Sequence, residues 1–84
     1  MNPETIQVRV LAFARLRELL GFAERVIDVE SGATAQDLWD QLAQPSAASL
    51  AASTRFARNG RIVAATQPLD DGDELAFLPP VGGG

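Results

Sequence analysis

The sequence predicts a small α+β domain in which one main helix lies across a mixed sheet of about five strands. Three observations carry that expectation. Segments near both ends place an apolar residue at every second position, the signature of a strand with one buried face. A segment between them repeats its apolar residues at helical spacing. An Asn-Gly dipeptide joins two strand-like segments in the second half, the strongest short hairpin signal. The 84 residues are 46% hydrophobic and 21% charged, which suits a single domain over 1–84 with a tail at 79–84. At this length folding hides only about 60% of the surface of the unfolded chain, so one core forms and a deep active-site cleft is not expected.

From Thr5 to Phe13, Ile6, Val8, Val10 and Ala12 share one face while Gln7 and Arg9 share the other, so this segment reads as the first strand. Leu16, Leu19 and Leu20 follow at helical spacing, and Gly21 is placed to stop that short helix. Arg25 to Glu30 alternates again, with Ile27 and Val29 inward, and pairs naturally with the first strand. Thr34 precedes Asp37 by three residues, the spacing of a hydroxyl cap and a reciprocating acid, so the main helix begins there. Its stripe is Ala35, Leu38, Trp39 and Leu42, which makes Trp39 a core residue.

Pro45 ends that helix or starts the next turn, and residues 46–53 read as a loop with at most one helical turn. Thr54 to Arg58 and Arg61 to Ala65 are strands joined by Asn59-Gly60. Pro68 to Asp73 is turn chemistry, and Glu74 to Leu78 is the last strand, stopped by Pro79-Pro80. Within that strand Leu75 and Phe77 are assigned to the core and Ala76 and Leu78 to the opposite face. A helix packed across a mixed sheet built from two flanking hairpins is the β-grasp, or ubiquitin-like, architecture, in which first and last strands lie side by side.

Composition narrows the function. The chain has no Cys, His, Tyr or Lys, so it offers no thiol nucleophile, imidazole base or Schiff-base amine. A disulfide framework and ordinary zinc, iron-sulfur or haem sites are excluded for the same reason, and no permanently bound metal or cofactor is expected. A net charge of −4 argues against nucleic acid as a partner. Met1 to Thr5 lacks a basic leader and no apolar run approaches the ~20 residues that span a bilayer, so no membrane association and a cytoplasmic location are expected.

Three segments carry a family resemblance. Phe13 to Gly21 (FARLRELLG), Leu69 to Phe77 (LDDGDELAF) and Pro79 to Gly84 (PPVGGG) resemble the small, sulfur-carrier subunits of molybdopterin synthase, and the likeness spans the whole chain. Thiamine-pathway carriers also end in Gly-Gly but are usually shorter and lack the paired prolines. Two positions depart from the pattern. Gly82 stands where Ser or Thr is common, and Arg58 where an apolar residue is usual, which puts the third strand's register, or a partner contact near it, at issue.

The resemblance implies a carrier rather than an enzyme. A terminal carboxylate is an anion at neutral pH and a poor electrophile. In the family an activating enzyme uses ATP to adenylate that carboxyl, here Gly84, and a sulfur-donating enzyme then supplies the sulfur that converts it to a thiocarboxylate. The thiocarboxylate gives its sulfur to cyclic pyranopterin monophosphate in the active site of the large subunit, in a heterotetramer. Gly83 and Gly84 are then the reacting end, slim enough to enter a narrow channel. Leu78, Pro79, Pro80, Val81 and Gly82 are the implied partner contacts, with the prolines favouring an extended exit from the sheet.

Other readings use the same residues. A ubiquitin-like modifier would join Gly84 to lysines of other proteins, and a purely non-covalent domain would not need Gly83-Gly84. A glycine-rich end taken alone is commonly a loose terminus. Arg55, Arg58 and Arg61 serve either an acidic partner or edge protection, the latter being the commoner use. Asp70, Asp71, Asp73 and Glu74 are explained by turn chemistry, with steering toward a basic partner as the alternative and the holding of a cation the less favoured one.

Overall fold

The computed structural model describes residues 4–43 and 45–79. Five strands form one sheet in the order β2-β1-β5-β3-β4, with β1 at Thr5–Ala12, β2 at Glu24–Glu30, β3 at Arg55–Arg58, β4 at Arg61–Val63 and β5 at Glu74–Leu78. The central pair, β1 and β5, is parallel, while β1 with β2, β3 with β5 and β3 with β4 are antiparallel. This is the expected mixed sheet with the first and last strands adjacent.

The strand alternation sorts side chains as the sequence predicts. Ile6, Val8, Val10 and Ala12 of β1, Ile27 and Val29 of β2, Phe56 of β3, and Leu75 and Phe77 of β5 are buried together on one face. Across them lies α2 (Ala35–Leu42), whose Ala35, Leu38, Trp39 and Leu42 are all buried. Trp39 and Phe56 each meet Phe77 edge-on, at centroid separations of 5.3 and 5.6 Å, so Phe77 links helix to sheet. Such edge-to-face contacts add about 0.5–1.5 kcal/mol beyond the burial itself. α2 starts as read: the Asp37 N–H donates to Thr34 Oγ1 and the Thr34 N–H donates to Asp37 Oδ2.

The boundaries differ from the sequence reading in four places, each for a local reason. Phe13 leaves β1 to precede the short helix α1 (Ala14–Leu20), because Ala14 turns the chain with a φ of 50°. Residues 45–50 form a 3-10 helix rather than a loop, and its Ala47 is fully buried in the core. Thr54 closes that helix instead of opening β3: its hydroxyl donates to the Leu50 carbonyl at 2.7 Å. β4 stops at Val63 because the following chain leaves the sheet to serve α2, whose Ala35 and Gln36 N–H groups donate to Gln67 and Ala65 carbonyls. Asn59 (φ 50°) and Gly60 (φ 85°) supply the two left-handed residues that the tight β3-β4 turn requires.

Candidate functional site: the root of the C-terminal tail

β5 delivers the end of the chain. It runs between β1 and β3, so the strand that leads into the tail is held by hydrogen bonds on both edges, with Ala12 opposite Phe77 on one side and Arg55 opposite Leu78 on the other. Leu78 and Pro79 are half-buried at its end. Pro80, Val81, Gly82, Gly83 and Gly84 lie outside the described residues, so the structure reaches the root of the expected site and not its reacting end.

An apolar band crosses the sheet beside this root, on the face turned away from α2. Register sets it: Leu11 of β1 is opposite Ala76 of β5, Ala76 opposite Ala57 of β3, and Ala57 opposite Ile62 of β4. Leu78 lies two residues along β5 on the same face. Ile62 is 60% exposed and Phe13, at the end of β1, is 45% exposed. Sequence reasoning placed Leu78 here and missed Phe13 and Ile62. The signal was available for Ile62, since the Asn-Gly turn sets Ala57 against it, and Phe56 pointing inward turns both outward.

Charge is divided along the strands. At the tail end stand Arg15 and Arg17 of α1, Arg25 of β2 and Arg55 of β3, with Glu18 and Glu24. Among the described residues Arg15, Arg17, Arg25 and Arg55 form no ion pair, and Arg25 instead lies over the Phe22 ring at 5.9 Å. The opposite end holds the Asp70 to Glu74 turn and the Asn59-Gly60 turn, and there Arg58 pairs with Asp70 and Asp73.

Asp73 is the centre of that opposite end. Although buried, it accepts from Arg58 Nε at 2.6 Å, the Asp70 N–H at 2.8 Å and Asn59 Nδ2 at 2.9 Å. Arg58 also donates to Asp70 at 2.8 Å. Asn59 returns along β5, its side-chain oxygen accepting from the Glu74 N–H at 2.9 Å. Burial pushes the Asp73 carboxyl up, but the three donors together outweigh it and hold the group below the usual aspartate range. Arg58 therefore does not shift the register of β3, which pairs regularly on both sides: it joins the two turns of its own chain. Two further acids at this end are used locally, Asp71 accepting from the Gln7 N–H and Glu74 from Arg9.

Comparison with known proteins agrees with this arrangement. The ThiS family matches residues 10–84. A molybdopterin synthase sulfur carrier subunit from Chlamydomonas reinhardtii is 37% identical over 83 residues, covering 94% of this chain and 100% of the relative. One from Escherichia coli (strain K12) is 38% identical over 88 residues, covering 92% and 99%. Among solved structures, a putative molybdopterin converting factor subunit 1 from Pyrococcus furiosus superposes with a TM-score of 0.78 at 31% identity, covering 90% of this chain and 99% of that one. Small archaeal modifier protein SAMP1 from Haloferax volcanii superposes with a TM-score of 0.78 at 32% identity, covering 93% and 99%. With the β-grasp fold in place and near-full-length likeness to molybdopterin synthase sulfur carrier subunits, the chain belongs to the ThiS family.

Proposed function

We propose that this chain is the sulfur carrier of a molybdopterin synthase, with the carboxyl of Gly84 as its working group. The observation that carries the reading is the central strand β5, which leads directly into Pro79-Pro80-Val81-Gly82-Gly83-Gly84 in a chain matched along nearly its whole length by relatives of that name. The first step has to create a leaving group. A Gly84 carboxylate oxygen attacks the α-phosphorus of ATP on an activating enzyme and pyrophosphate departs. Hydrosulfide supplied by a donor enzyme then attacks the carbonyl carbon, the bond from that carbon to the AMP oxygen breaks, AMP departs with the electron pair, and a thiocarboxylate remains. No side chain of this chain is needed as acid or base, in keeping with its composition.

Delivery needs reach and a seat. From Leu78 to Gly84 is six steps, about 20 Å fully extended, so the end can enter a partner's cavity while the sheet stays outside. Gly83 and Gly84 keep the thread narrow, and Pro79 and Pro80 keep its base extended. The seat is the apolar band with Leu78 and the exposed Phe13 and Ile62, and arginines that form no ion pair among the described residues stand at the tail end of the sheet. A large synthase subunit covers it, Val81 and Gly82 lining the entry. Catalysis on cyclic pyranopterin monophosphate belongs to that subunit, in a heterotetramer.

The test is the intact mass of the chain after incubation with ATP, a sulfur source and the activating enzyme, with fragmentation. Replacement of one oxygen by sulfur in the C-terminal fragment is the expected result. An unmodified Gly84 beside a demonstrably active enzyme would refute the reading. The likeness to an archaeal modifier protein favours a second one, attachment of Gly84 to lysines of other proteins. Gly-Gly remnants on cellular lysines, dependent on this chain, are its readout.

A further inference from the structure

We infer that the outer edge of β2 is a docking site for an extended segment of another protein, one that carries lysine or arginine at alternate positions and joins the sheet as a further, antiparallel strand. β2 is an end strand, with β1 as its neighbour in the sheet. Hydrogen bonds at the two ends of the β1-β2 ladder fix which residues turn away. The Ser31 N–H donates to the Glu4 carbonyl and the Ala12 N–H to the Ala23 carbonyl, so Ala23 and Ser31 present their backbone groups to β1. In an antiparallel pair every second residue does the same. Arg25, Ile27 and Val29 are therefore bonded to β1, while Glu24, Val26, Asp28 and Glu30 direct their N–H and C=O groups outward.

The other edge offers no such row. The Asn59 N–H donates to the Glu74 carbonyl, which turns the backbone groups of Phe56 and Arg58 toward β4. Arg61 and Val63 answer them, so Ile62 alone of the three β4 residues turns its groups outward. A strand added through main-chain hydrogen bonds finds its ladder at β2, where alternate side chains then give selectivity.

The side chains decide what is added. Glu24, Val26, Asp28 and Glu30 are all exposed, on the face turned away from α2, and Val26 is 55% exposed. A second copy is repelled: every antiparallel register that pairs three or more of these residues with their equivalents sets an acid directly opposite an acid. A strand with cations at those positions meets the acids as cross-strand partners, and an apolar residue among them covers Val26. Its intervening side chains enter a groove of about 700 Å³ beside the C-terminal half of β2, lined by Val29, Ala33, Asp37 and Gln41 together with Asp28 and Glu30. Carboxylates thus flank the added strand on both faces. Because β2 is antiparallel to β1 and β5 is parallel to it, Glu30 and the groove lie at the end of the sheet opposite Leu78. The docked segment leaves the tail root uncovered, so its owner stays bound while the terminus is in use elsewhere.

The test adds two synthetic peptides to the full chain and follows amide hydrogen exchange by NMR at millimolar peptide. One is acetyl-Lys-Thr-Lys-Thr-Val-Thr-Lys-amide, which in antiparallel alignment sets its lysines against Glu30, Asp28 and Glu24 and its valine against Val26. The other has glutamate for each lysine. The lysine peptide is expected to slow exchange at the amides of Glu24, Val26, Asp28 and Glu30 by about tenfold, with those of Arg25, Ile27 and Val29 unchanged, and the glutamate peptide to slow none of them. Combining Asp28→Lys with Glu30→Lys should weaken the lysine peptide by about tenfold or more and admit the glutamate peptide. Should that double variant misfold, Val26→Pro removes one outward N–H and no bond to β1, and should abolish the protection. Protection absent from the four amides, protection elsewhere, equal protection by both peptides, or a folded variant that binds the lysine peptide as before overturns the inference. None of these outcomes touches the carrier assignment, which fails instead if the enzyme leaves Gly84 unmodified.

Discussion

The two ends of the sheet are built on opposite principles. At the turn end Arg58, Asn59, Asp70 and Asp73 answer one another through hydrogen bonds of 2.6–2.9 Å, so charge is spent internally on joining the β3-β4 turn to the turn before β5. At the tail end arginines stand without ion pairs among the described residues, beside exposed Phe13 and half-buried Leu78. At one end these four side chains answer one another, and at the other the four arginines do not pair with the acids beside them. The difference teaches that a small domain can hold two turns together with paired charge at one end while its cations at the other stay available to a partner, as the proposed function requires.

Truncation gives the sharpest form of the contrast. Removing Gly83-Gly84 should abolish sulfur loading outright, read by mass spectrometry, while leaving the melting temperature unchanged, because the buried core is built from residues between Ile6 and Phe77. At the turn end the outcome reverses. Asp73→Ala leaves the Asp70 N–H and the Asn59 amide without their acceptor and should cost about 2–3 kcal/mol in urea unfolding. For a domain of this size, with total stability of order 4–12 kcal/mol, that is a large share. Loading of the molecules that remain folded should be normal.

An acidic residue placed in the apolar band separates the two ends again at smaller scale. Ile62→Asp should weaken binding to the large subunit by about tenfold to a hundredfold in calorimetry, with less than 1 kcal/mol lost in stability, since Ile62 is 60% exposed. The pH dependence belongs to the turn end. Asp73 has its folded pKa held below the unfolded one, so its contribution is fully present above the unfolded value of about 4 and is lost as pH falls through the folded value. Urea midpoints measured from pH 6 downward should fall below about pH 4, and less steeply in Asp73→Asn. The smallest effect is expected for Arg9→Gln: its exposed pairs with Glu24 and Glu74 should leave thermal melting indistinguishable from wild type.

How much of this was legible in the sequence depended on whether a signal was local. The Thr34-Asp37 cap, the Asn59-Gly60 turn and the alternation of β1 are each written within a few residues, and each appears where it was read. The residues 45–50 helix was illegible because alanine and serine carry no periodicity, although Ala47 is wholly buried. Arg58 looked anomalous because its explanation lies 12 and 15 residues away, in Asp70 and Asp73. The apolar band needed the registers of four strands at once, which no single stretch reveals. Of the site itself, the tail was readable as a motif, whereas the surface it departs from was not.

The place of β5 has a mechanical consequence. On the proposed function the end of the chain is drawn into one enzyme and then another, so tension on the tail is transmitted to the strand it continues. Because β5 lies between β1 and β3, that pull runs along the strand and across the hydrogen bonds on both of its edges. The bonds are loaded together in shear and must slip as a set, whereas an edge strand peeled from one side would lose them one at a time. A tail anchored in the middle of the sheet is thus one that can be tugged repeatedly without unravelling the body behind it.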